Sequence, residues 1–212
     1  MYGENDDTFA NARTNTKNST IKDKIDTWYA QNMTSYTKYL STTAVYCNDR
    51  SDPAGGYNTG NSKFYYGART RLDTNKAPTY DCTDTNDKFT VDTSTGNGKL
   101  TYPIALMTAD EVSFAGGLYD TKAPTWYYYN SANGSSTGMF GWWLLSPSFW
   151  GGSYAYVFSV NASVNPGRLD HYTVISTYGV RPAISLKSCV KTSGGDGSAS
   201  DPYTIKETET GC

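Results

Sequence analysis

The sequence predicts a single α+β domain, with helices on its N-terminal side followed by a compact antiparallel sheet and long loops. Helix-start signals lie at residues 20 and 108, and the strand-like runs all lie beyond residue 125. The length of 212 residues fits one large domain. We divide it into a helical and loop-rich part (1–100), a core (101–190) and a tail (191–212).

The first helix begins at a capping box formed by Thr20 and Asp23. Apolar residues then recur at helical spacing, namely Ile21, Ile25, Trp28 and Tyr29. A short second helix is predicted over Thr34–Leu40. The stretch Asp49–Thr95 is rich in Gly, Asn, Thr and Pro, which predicts long loops with short strands.

The sharpest helix signal is a capping box between Thr108 and Glu111. Val112 and Phe114 are expected on the apolar side of this helix, and Gly116 and Gly117 are expected to end it. Strand-like runs alternate with turns after it: Trp126–Tyr129, Trp142–Leu145, Ala155–Val160, Tyr172–Ile175 and Val180–Leu186.

The composition excludes two classes of partner. Charged residues make up 18% of the chain, against about 25% in an average soluble domain, and the net charge is -2. No cluster of Lys and Arg is interleaved with the aromatic residues, so a nucleic-acid ligand is not expected. No apolar stretch approaches the roughly 18 residues that a membrane-spanning helix needs.

The four cysteines are predicted to form disulfides rather than a metal site. None of them lies in a Cys-x-x-Cys spacing, and the chain has one histidine, so neither a zinc centre nor any cofactor is expected. Disulfides indicate an oxidising compartment, and free buried thiols are the alternative. Two loop-rich stretches are each bracketed by a pair of cysteines, which predicts Cys47–Cys82 and Cys189–Cys212.

No catalytic constellation is apparent, and the chain is therefore predicted not to be an enzyme. His171 is the only imidazole, and it lies in a polar stretch next to turn residues. Asp110 and Glu111 are explained by the start of a helix, and the other carboxylates are scattered in loops. We expect His171 to be an exposed surface residue and not a general base.

Three runs in the second half of the chain form a characteristic series: Trp142–Pro147, Ala155–Val160 and Gly179–Leu186. This series resembles the C-terminal core of C-type-lectin-fold proteins of the formylglycine-generating-enzyme type. Within that group it is most similar to bacterial and phage domains that include the variable proteins of diversity-generating retroelements. The segments Tyr102–Gly117 and Cys47–Arg50 are also similar to gut-bacterial members.

The resemblance implies a C-type-lectin-like fold without the known activities of related proteins. The chain lacks the Glu-Pro-Asn and Gln-Pro-Asp triplets of calcium-dependent lectins. It also lacks the closely placed cysteine pair of the sulfatase-activating enzymes. In such a scaffold, Trp142–Leu145 and Val180–Leu186 are expected to be core strands, and Arg181 a half-buried hydrogen-bond anchor.

The resemblance also implies a hypervariable segment, which we place at residues 148–178. Retroelement mutagenesis acts at template adenines, and an AAC or AAT codon changed in this way never encodes Lys, Glu, Gln, Met or Trp. Between Met139 and Lys187 the chain has no Lys, Glu, Gln or Met. Trp150 cannot arise from such a codon, so it must be fixed by the template or come from another codon. The alternative is a lysine-poor β-region in a chain that is already short of Glu, Gln and Met.

The segment has the composition of a recognition site, because Tyr and Trp supply rigid contact area while Ser, Gly and Asn supply adaptable hydrogen bonds. We expect its site residues to lie largely on one exposed face, where substitutions would leave stability nearly unchanged. The predicted ligand-binding residues are Phe149, Trp150, Ser153, Tyr154, Tyr156, Asp170, His171, Tyr172, Thr173, Ser176 and Tyr178.

The leading functional hypothesis is a ligand-binding protein displayed outside the cell, on a cell surface or a virion. Its partner would be a protein or a glycan on another cell surface. The alternatives are an enzyme of the same fold that acts on surface carbohydrate or protein, and a structural module of a surface or tail assembly. A convergent polar cleft with perturbed pKa values would favour the enzyme.

Overall fold

The protein is an α+β domain in which helices cover both faces of one central sheet. The structure is a computed structural model that describes residues 3, 17–51, 64–123, 141–161, 165, 167–198 and 200–212. The strand predicted at Trp126–Tyr129 lies outside these residues. None of the described helices is long and apolar enough to cross a bilayer.

The described helices are α1 (Thr20–Asn32), α2 (Gly67–Arg69) and α3 (Ala109–Phe114), with 3-10 turns at Thr34–Tyr39 and Thr85–Asp87 and a π-helical turn at Thr70–Asn75. The described strands are β1 (Tyr46–Cys47), β2 (Phe64–Tyr65), β3 (Lys88–Phe89), β4 (Ala105–Leu106), β5 (Leu118–Tyr119), β6 (Trp142–Trp150), β7 (Ala155–Val160), β8 (Arg168–Thr173), β9 (Pro182–Ala183), β10 (Thr192–Gly194) and β11 (Thr204–Ile205).

Helix α1 begins one residue earlier than its predicted capping box. Ser19 is the N-cap, and its hydroxyl accepts a hydrogen bond from the Lys22 backbone N–H at 3.2 Å. The apolar side of the helix is buried as expected, although Trp28 is exposed. The predicted helix over Thr34–Leu40 is a 3-10 helix.

Helix α3 confirms the predicted capping box. The Thr108 hydroxyl accepts from the Glu111 N–H at 3.1 Å, and Glu111 Oε2 accepts from the Thr108 N–H at 2.7 Å. Gly116 follows the helix in the left-handed region with φ 105°, which suits a residue without a Cβ. Phe114 was expected on the buried side but is exposed. Its ring stacks on that of Tyr80, which is itself exposed at the surface.

The central sheet has the strand order β2-β6-β7-β8-β5. All neighbours pair antiparallel except β5 and β8, which are parallel. The other described strands form three two-stranded sheets, β1-β3, β4-β9 and β10-β11. β6 is longer than the predicted Trp142–Leu145 run, since it continues through Pro147 with register shifts on both sides of that residue.

Both faces of the central sheet are covered by apolar side chains from helices. One face packs against α2, α3 and the π-helical turn, through Ala68, Leu72, Ala109, Val112, Trp142, Leu144, Phe158, Val160 and Leu169. We call it the α3 face. The other packs against α1, through Ile21, Ile25, Tyr29, Leu40, Ile104, Leu106, Trp143, Val157 and Val174. We call it the α1 face. A sheet buried on both sides has little surface to offer a ligand away from its ends.

Two late strands differ from their predicted positions. The strand predicted at Tyr172–Ile175 lies earlier in the chain, since β8 spans Arg168–Thr173. A turn begins at Thr173, whose carbonyl accepts a hydrogen bond from the Ser176 N–H at 2.8 Å. Val180–Leu186 was predicted as a core strand, yet only Pro182–Ala183 is strand. Val180 and Leu186 are 40% and 46% exposed, so they are not core residues.

Both predicted disulfides are confirmed. Cys47–Cys82 joins β1 to the loop before β3 across 35 positions, with a Cα–Cα distance of 5.9 Å. Cys189–Cys212 closes the C-terminal segment, with a Cα–Cα distance of 5.5 Å. This segment, which we expected to be a tail, forms the β10–β11 hairpin and contacts the 3-10 helix, where the Tyr39 hydroxyl donates to the Thr208 carbonyl at 3.0 Å.

Candidate functional site

One end of the α3 face holds a cluster of aromatic rings around a single guanidinium group. We call it the arginine–aromatic cluster, and it consists of Tyr65, Arg69, Tyr119, Phe149, Tyr156 and His171. Three of its members come from the predicted segment 148–178, and three come from elements that the sequence did not reveal.

Arg69 lies at the centre of the cluster. Its guanidinium carbon is 4.6 Å from the ring centroid of Tyr119, 5.2 Å from that of Tyr65 and 5.5 Å from that of Phe149. These distances are within the range of cation–π attraction. Nε donates to Asp73 Oδ2 at 3.1 Å, and Asp73 is one helical turn further along the chain. The guanidinium is therefore held in place by stacking and by a carboxylate together.

Arg69 also fixes the hydrogen-bonding state of His171. Its Nη1 donates to His171 Nδ1 at 3.0 Å, and the Tyr119 hydroxyl lies 3.0 Å from the same nitrogen. A guanidinium can only donate, so Nδ1 must be the acceptor and the neutral ring carries its proton on Nε2. Burial and the Arg69 charge lower the pKa of His171 to about 4. His171 is therefore neutral at physiological pH.

The rings of the cluster are ordered by stacking. Phe149 and Tyr156, which are opposite each other in the β6–β7 pair, stack with centroids 4.0 Å apart. His171 meets Phe149 edge-on at 4.9 Å and lies parallel to Tyr119 at 6.0 Å. Burial raises the pKa of Tyr119 to about 12, so its hydroxyl keeps its proton. The cluster therefore presents fixed rings and neutral donors around one cation.

Backbone strain is concentrated next to Tyr119. Among the described residues, only Lys76 (φ 52°) and Asp120 (φ 55°) are non-glycine residues with left-handed backbone. Lys76 follows the π-helical turn, with its ammonium group 6.0 Å from the Tyr119 ring, and Asp120 is the next residue along the chain from Tyr119. Such strain costs about 1 to 2 kcal/mol per residue and is concentrated at functional sites, as are π-helical turns.

The structure does not place the predicted site residues on one exposed face. Because successive side chains of a strand point to opposite faces, His171 and Tyr172 lie on opposite sides of the sheet. Tyr172 packs at the edge of the α1 face, with its ring 4.6 Å from that of Tyr178, which lies 4.9 Å from the Trp143 ring. Tyr172 and Tyr178 therefore serve packing on the side away from the arginine–aromatic cluster.

Trp150 was expected to be an exposed anchor, and this expectation is wrong. It is the last residue of β6, it pairs with Phe64 on one side and Ala155 on the other, and it is 3% exposed. The two glycines after it had indicated a loop, but they form the tight turn to β7. Gly152 has φ 95°, and the Gly151 N–H donates to the Tyr154 carbonyl at 2.9 Å. Ser153 and Tyr154 are exposed in this turn, as expected.

The remaining predicted residues are half-buried and already have partners. Asp170 forms an ion pair with Arg168, and its Oδ1 accepts from the His171 backbone N–H at 2.8 Å. The Thr173 and Ser176 hydroxyls are 2.9 Å apart in the turn after β8. Replacing Asp170, His171, Tyr172 and Thr173 together would remove ring packing and an ion pair, so we now expect this variant to lose stability.

Sequence reasoning missed Tyr65, Arg69 and Tyr119. Tyr65 and Tyr119 lie in strands of two residues, and Arg69 is at the end of a three-residue helix within the stretch we expected to be loops. The only sequence signal was the grouping Phe64-Tyr65-Tyr66 close to Arg69. Burial of His171 was missed for the same reason, since Arg69 and Tyr119 cover it.

The geometry makes His171 a poor general base. His171 Nδ1, the basic nitrogen of its neutral form, already accepts from Arg69, and the lowered pKa of the ring makes it a weak base. Among the described residues, no group of three or more His, Cys, Asp or Glu side chains is arranged to hold a metal ion. What the cluster offers a ligand is ring surface and cationic N–H donors.

The chain matches no protein-family model, no curated protein and no solved structure.

Proposed function

We propose that this chain is an extracellular ligand-binding domain with a C-type-lectin-like fold. Its recognition surface is the arginine–aromatic cluster together with the adjoining turn Gly151–Tyr154. One observation supports the proposal most directly: Arg69 is surrounded by three aromatic rings and bonded to neutral His171. Tyr and Arg are the residues that most often dominate binding energy at recognition surfaces.

The position of the cluster also supports recognition. It lies where β6 and β7 approach their shared turn, beyond the residues that pack against α3. Tyr65 and Tyr154 are 50% and 42% exposed there. Exposed rings next to a tight turn on a disulfide-linked framework supply rigid contact area at low entropic cost.

We further propose that the segment 148–178 is diversified by a retroelement. It supplies Phe149, Tyr156 and His171 to the cluster, and Ser153 and Tyr154 to the turn, while Arg69 comes from outside it. Substitutions at these positions would change which ligand binds, while the cation Arg69 stays the same. Sequencing the DNA next to the gene tests this: a reverse-transcriptase gene and a template repeat that differs at adenines are expected. A repeat-free locus would contradict diversification and leave ligand binding standing.

Ligand binding itself is tested with the oxidised protein on two probe sets, a printed array of neutral and acidic glycans and a displayed library of random peptides. The variant Tyr65→Ala plus Tyr154→Ala removes both exposed rings and leaves the core untouched. A control variant, Tyr203→Ala, removes an exposed ring in the C-terminal hairpin. We expect probes that bind the wild type and the control but not the double variant. Equal binding profiles of all three proteins would contradict the proposal.

A further inference from the structure

The charges around Tyr119 indicate what kind of ligand the cluster takes. Two cations lie against the Tyr119 ring, Arg69 at 4.6 Å and Lys76 at 6.0 Å. One carboxylate, Asp73, pairs with Arg69, and its side chain is 40% exposed. Within the described residues, Lys76 has no carboxylate partner. Two cations therefore face one carboxylate within the cluster itself, and Lys76 is the cation outside the ion pair.

Two further carboxylates and one further cation lie next to the cluster, so the wider region has three charges of each sign, namely Arg69, Lys76 and Arg168 against Asp73, Asp120 and Asp170. Asp120 and Asp170 are both bonded to Arg168. Arg168 and Asp170 are three residues and one residue before His171 in β8, so their side chains leave the strand on the face opposite to that of His171. Asp170 Oδ1 nevertheless lies 4.0 Å from His171 Nδ1. Arg69 and Lys76 both lie against the Tyr119 ring, whereas Asp120 and Asp170 are paired with Arg168.

Donor groups accompany the charge. Nη2 of Arg69 has no hydrogen-bond partner among the described residues, while Nε and Nη1 are occupied by Asp73 and His171. The N–H groups of Nη2 can donate charge-assisted hydrogen bonds to a carboxylate. Lys76 places a second cation 6.0 Å from the centroid of the same Tyr119 ring.

We propose, building on the proposed function above, that the ligand is a saccharide bearing a carboxylate, such as a uronic acid. The carboxylate would bind at Arg69 and Lys76, and the C–H face of the sugar would pack on the exposed rings of Tyr65 and Tyr154. A sugar is favoured over an acidic peptide because flat, exposed rings suit the face of a pyranose, whereas a peptide side chain is anchored in a pocket.

The test is titration of the oxidised full chain with an oligogalacturonate, with the methyl ester of the same oligosaccharide, and with an oligoglutamate peptide. Lys76→Asn removes the unpaired cation and keeps a residue that tolerates left-handed backbone. Arg69→Gln removes the central cation. Lys206→Gln is the matched control, an exposed lysine in the C-terminal hairpin.

We expect the oligogalacturonate to bind, its ester to bind at least about tenfold more weakly, and added salt to weaken binding. Lys76→Asn should weaken binding about threefold to fivefold and Arg69→Gln about tenfold or more, with no change for Lys206→Gln. Circular dichroism of Arg69→Gln checks its fold, and Lys76→Asn serves as the independent variant if that fold is lost.

Three results would overturn the carboxylate assignment while leaving ligand binding intact. The first is equal affinity for the acid and its ester, and the second is binding of the oligoglutamate in place of the sugar. The third is binding that depends on Tyr65 and Tyr154 but is limited to neutral glycans or library peptides. Failure of every probe set to distinguish the wild type from the Tyr65→Ala plus Tyr154→Ala variant would instead reject the proposed function.

Discussion

The Arg69 guanidinium donates to Nδ1 of His171 at 3.0 Å, although the two residues are 102 positions apart in the chain. This bond connects the end of α2 to strand β8 of the central sheet, and it requires the imidazole to be neutral. Protonation of His171 would place two cationic donors against each other. The bond therefore makes the stability of the domain depend on pH.

We predict that stability falls as the pH drops from about 6.5 to about 4, because the unfolded chain binds a proton on His171 in this range and the folded chain does not. Above the ordinary pKa the contribution is fully present, and below the folded pKa it is lost. The loss attributable to His171 should be up to about 3 kcal/mol.

Urea denaturation at a series of pH values measures this contribution. In His171→Gln, the amide oxygen can still accept from Arg69 but nothing titrates at this position, so the difference between the two proteins isolates His171 from the carboxylates. We expect the wild-type profile to be steeper between pH 6.5 and 4. Parallel profiles would show that His171 is not held neutral by the fold.

A second prediction concerns the Cys47–Cys82 disulfide. It closes a loop of 35 positions, and loss of such a cross-link costs about 3 to 4 kcal/mol by the chain-entropy relation. Cys47→Ser plus Cys82→Ser should lower the unfolding free energy by this amount. Peptide mapping without reductant should recover Cys47 linked to Cys82, and free thiols at both positions in oxidised protein would contradict the pairing.

A third prediction separates the surface from the core within the segment 148–178. Tyr154→Ala should change stability by no more than about 0.5 kcal/mol, because the ring is exposed in a turn. Tyr172→Ala should cost about 2 to 4 kcal/mol, since its ring packs against Tyr178 beside the α1 face. Guanidinium denaturation of both variants checks this. Equal losses would mean that the hairpin end of the sheet is not a separate surface.

The parts of the fold that could be predicted from the sequence are those with a local signal. A capping box fixes the start of α3 through two side chains three residues apart, and a short, nearly continuous run of apolar and aromatic residues marks β7. Each pattern is confined to a few consecutive residues. It can therefore be recognised in a single sequence without information about the rest of the fold.

The parts that could not be predicted depend on contacts between distant residues. β5 has two residues, and it is a strand because it pairs in parallel with β8, about fifty positions away. The π-helical turn that holds Asp73 and Lys76 near Tyr119 has no characteristic sequence period. Trp150 is buried because of its partners on both sides, whereas its local sequence, followed by two glycines, is that of a loop.

Asp110 shows the same limit, and it leads to the last prediction. The sequence explained Asp110 as part of a helix start, but its carboxylate accepts from Arg71 Nε at 2.9 Å, from Arg71 Nη2 at 2.8 Å and from the Thr79 N–H at 3.0 Å. Asp49 accepts from Nη1 of the same arginine at 2.7 Å. This buried network joins the π-helical turn, which positions the cations of the cluster, to α3.

Asp110→Ala should therefore cost about 3 to 5 kcal/mol, because it leaves the largely buried Arg71 with one of its two carboxylate partners and leaves the Thr79 N–H without its acceptor. Asp110→Asn keeps the size and one acceptor oxygen, so its cost should be smaller. Glu111→Gln is the matched control, since Gln also serves in a capping box. Thermal unfolding of the three variants measures the difference. A loss for Asp110→Ala no larger than that for Glu111→Gln would show that the network does not hold the π-helical turn against α3.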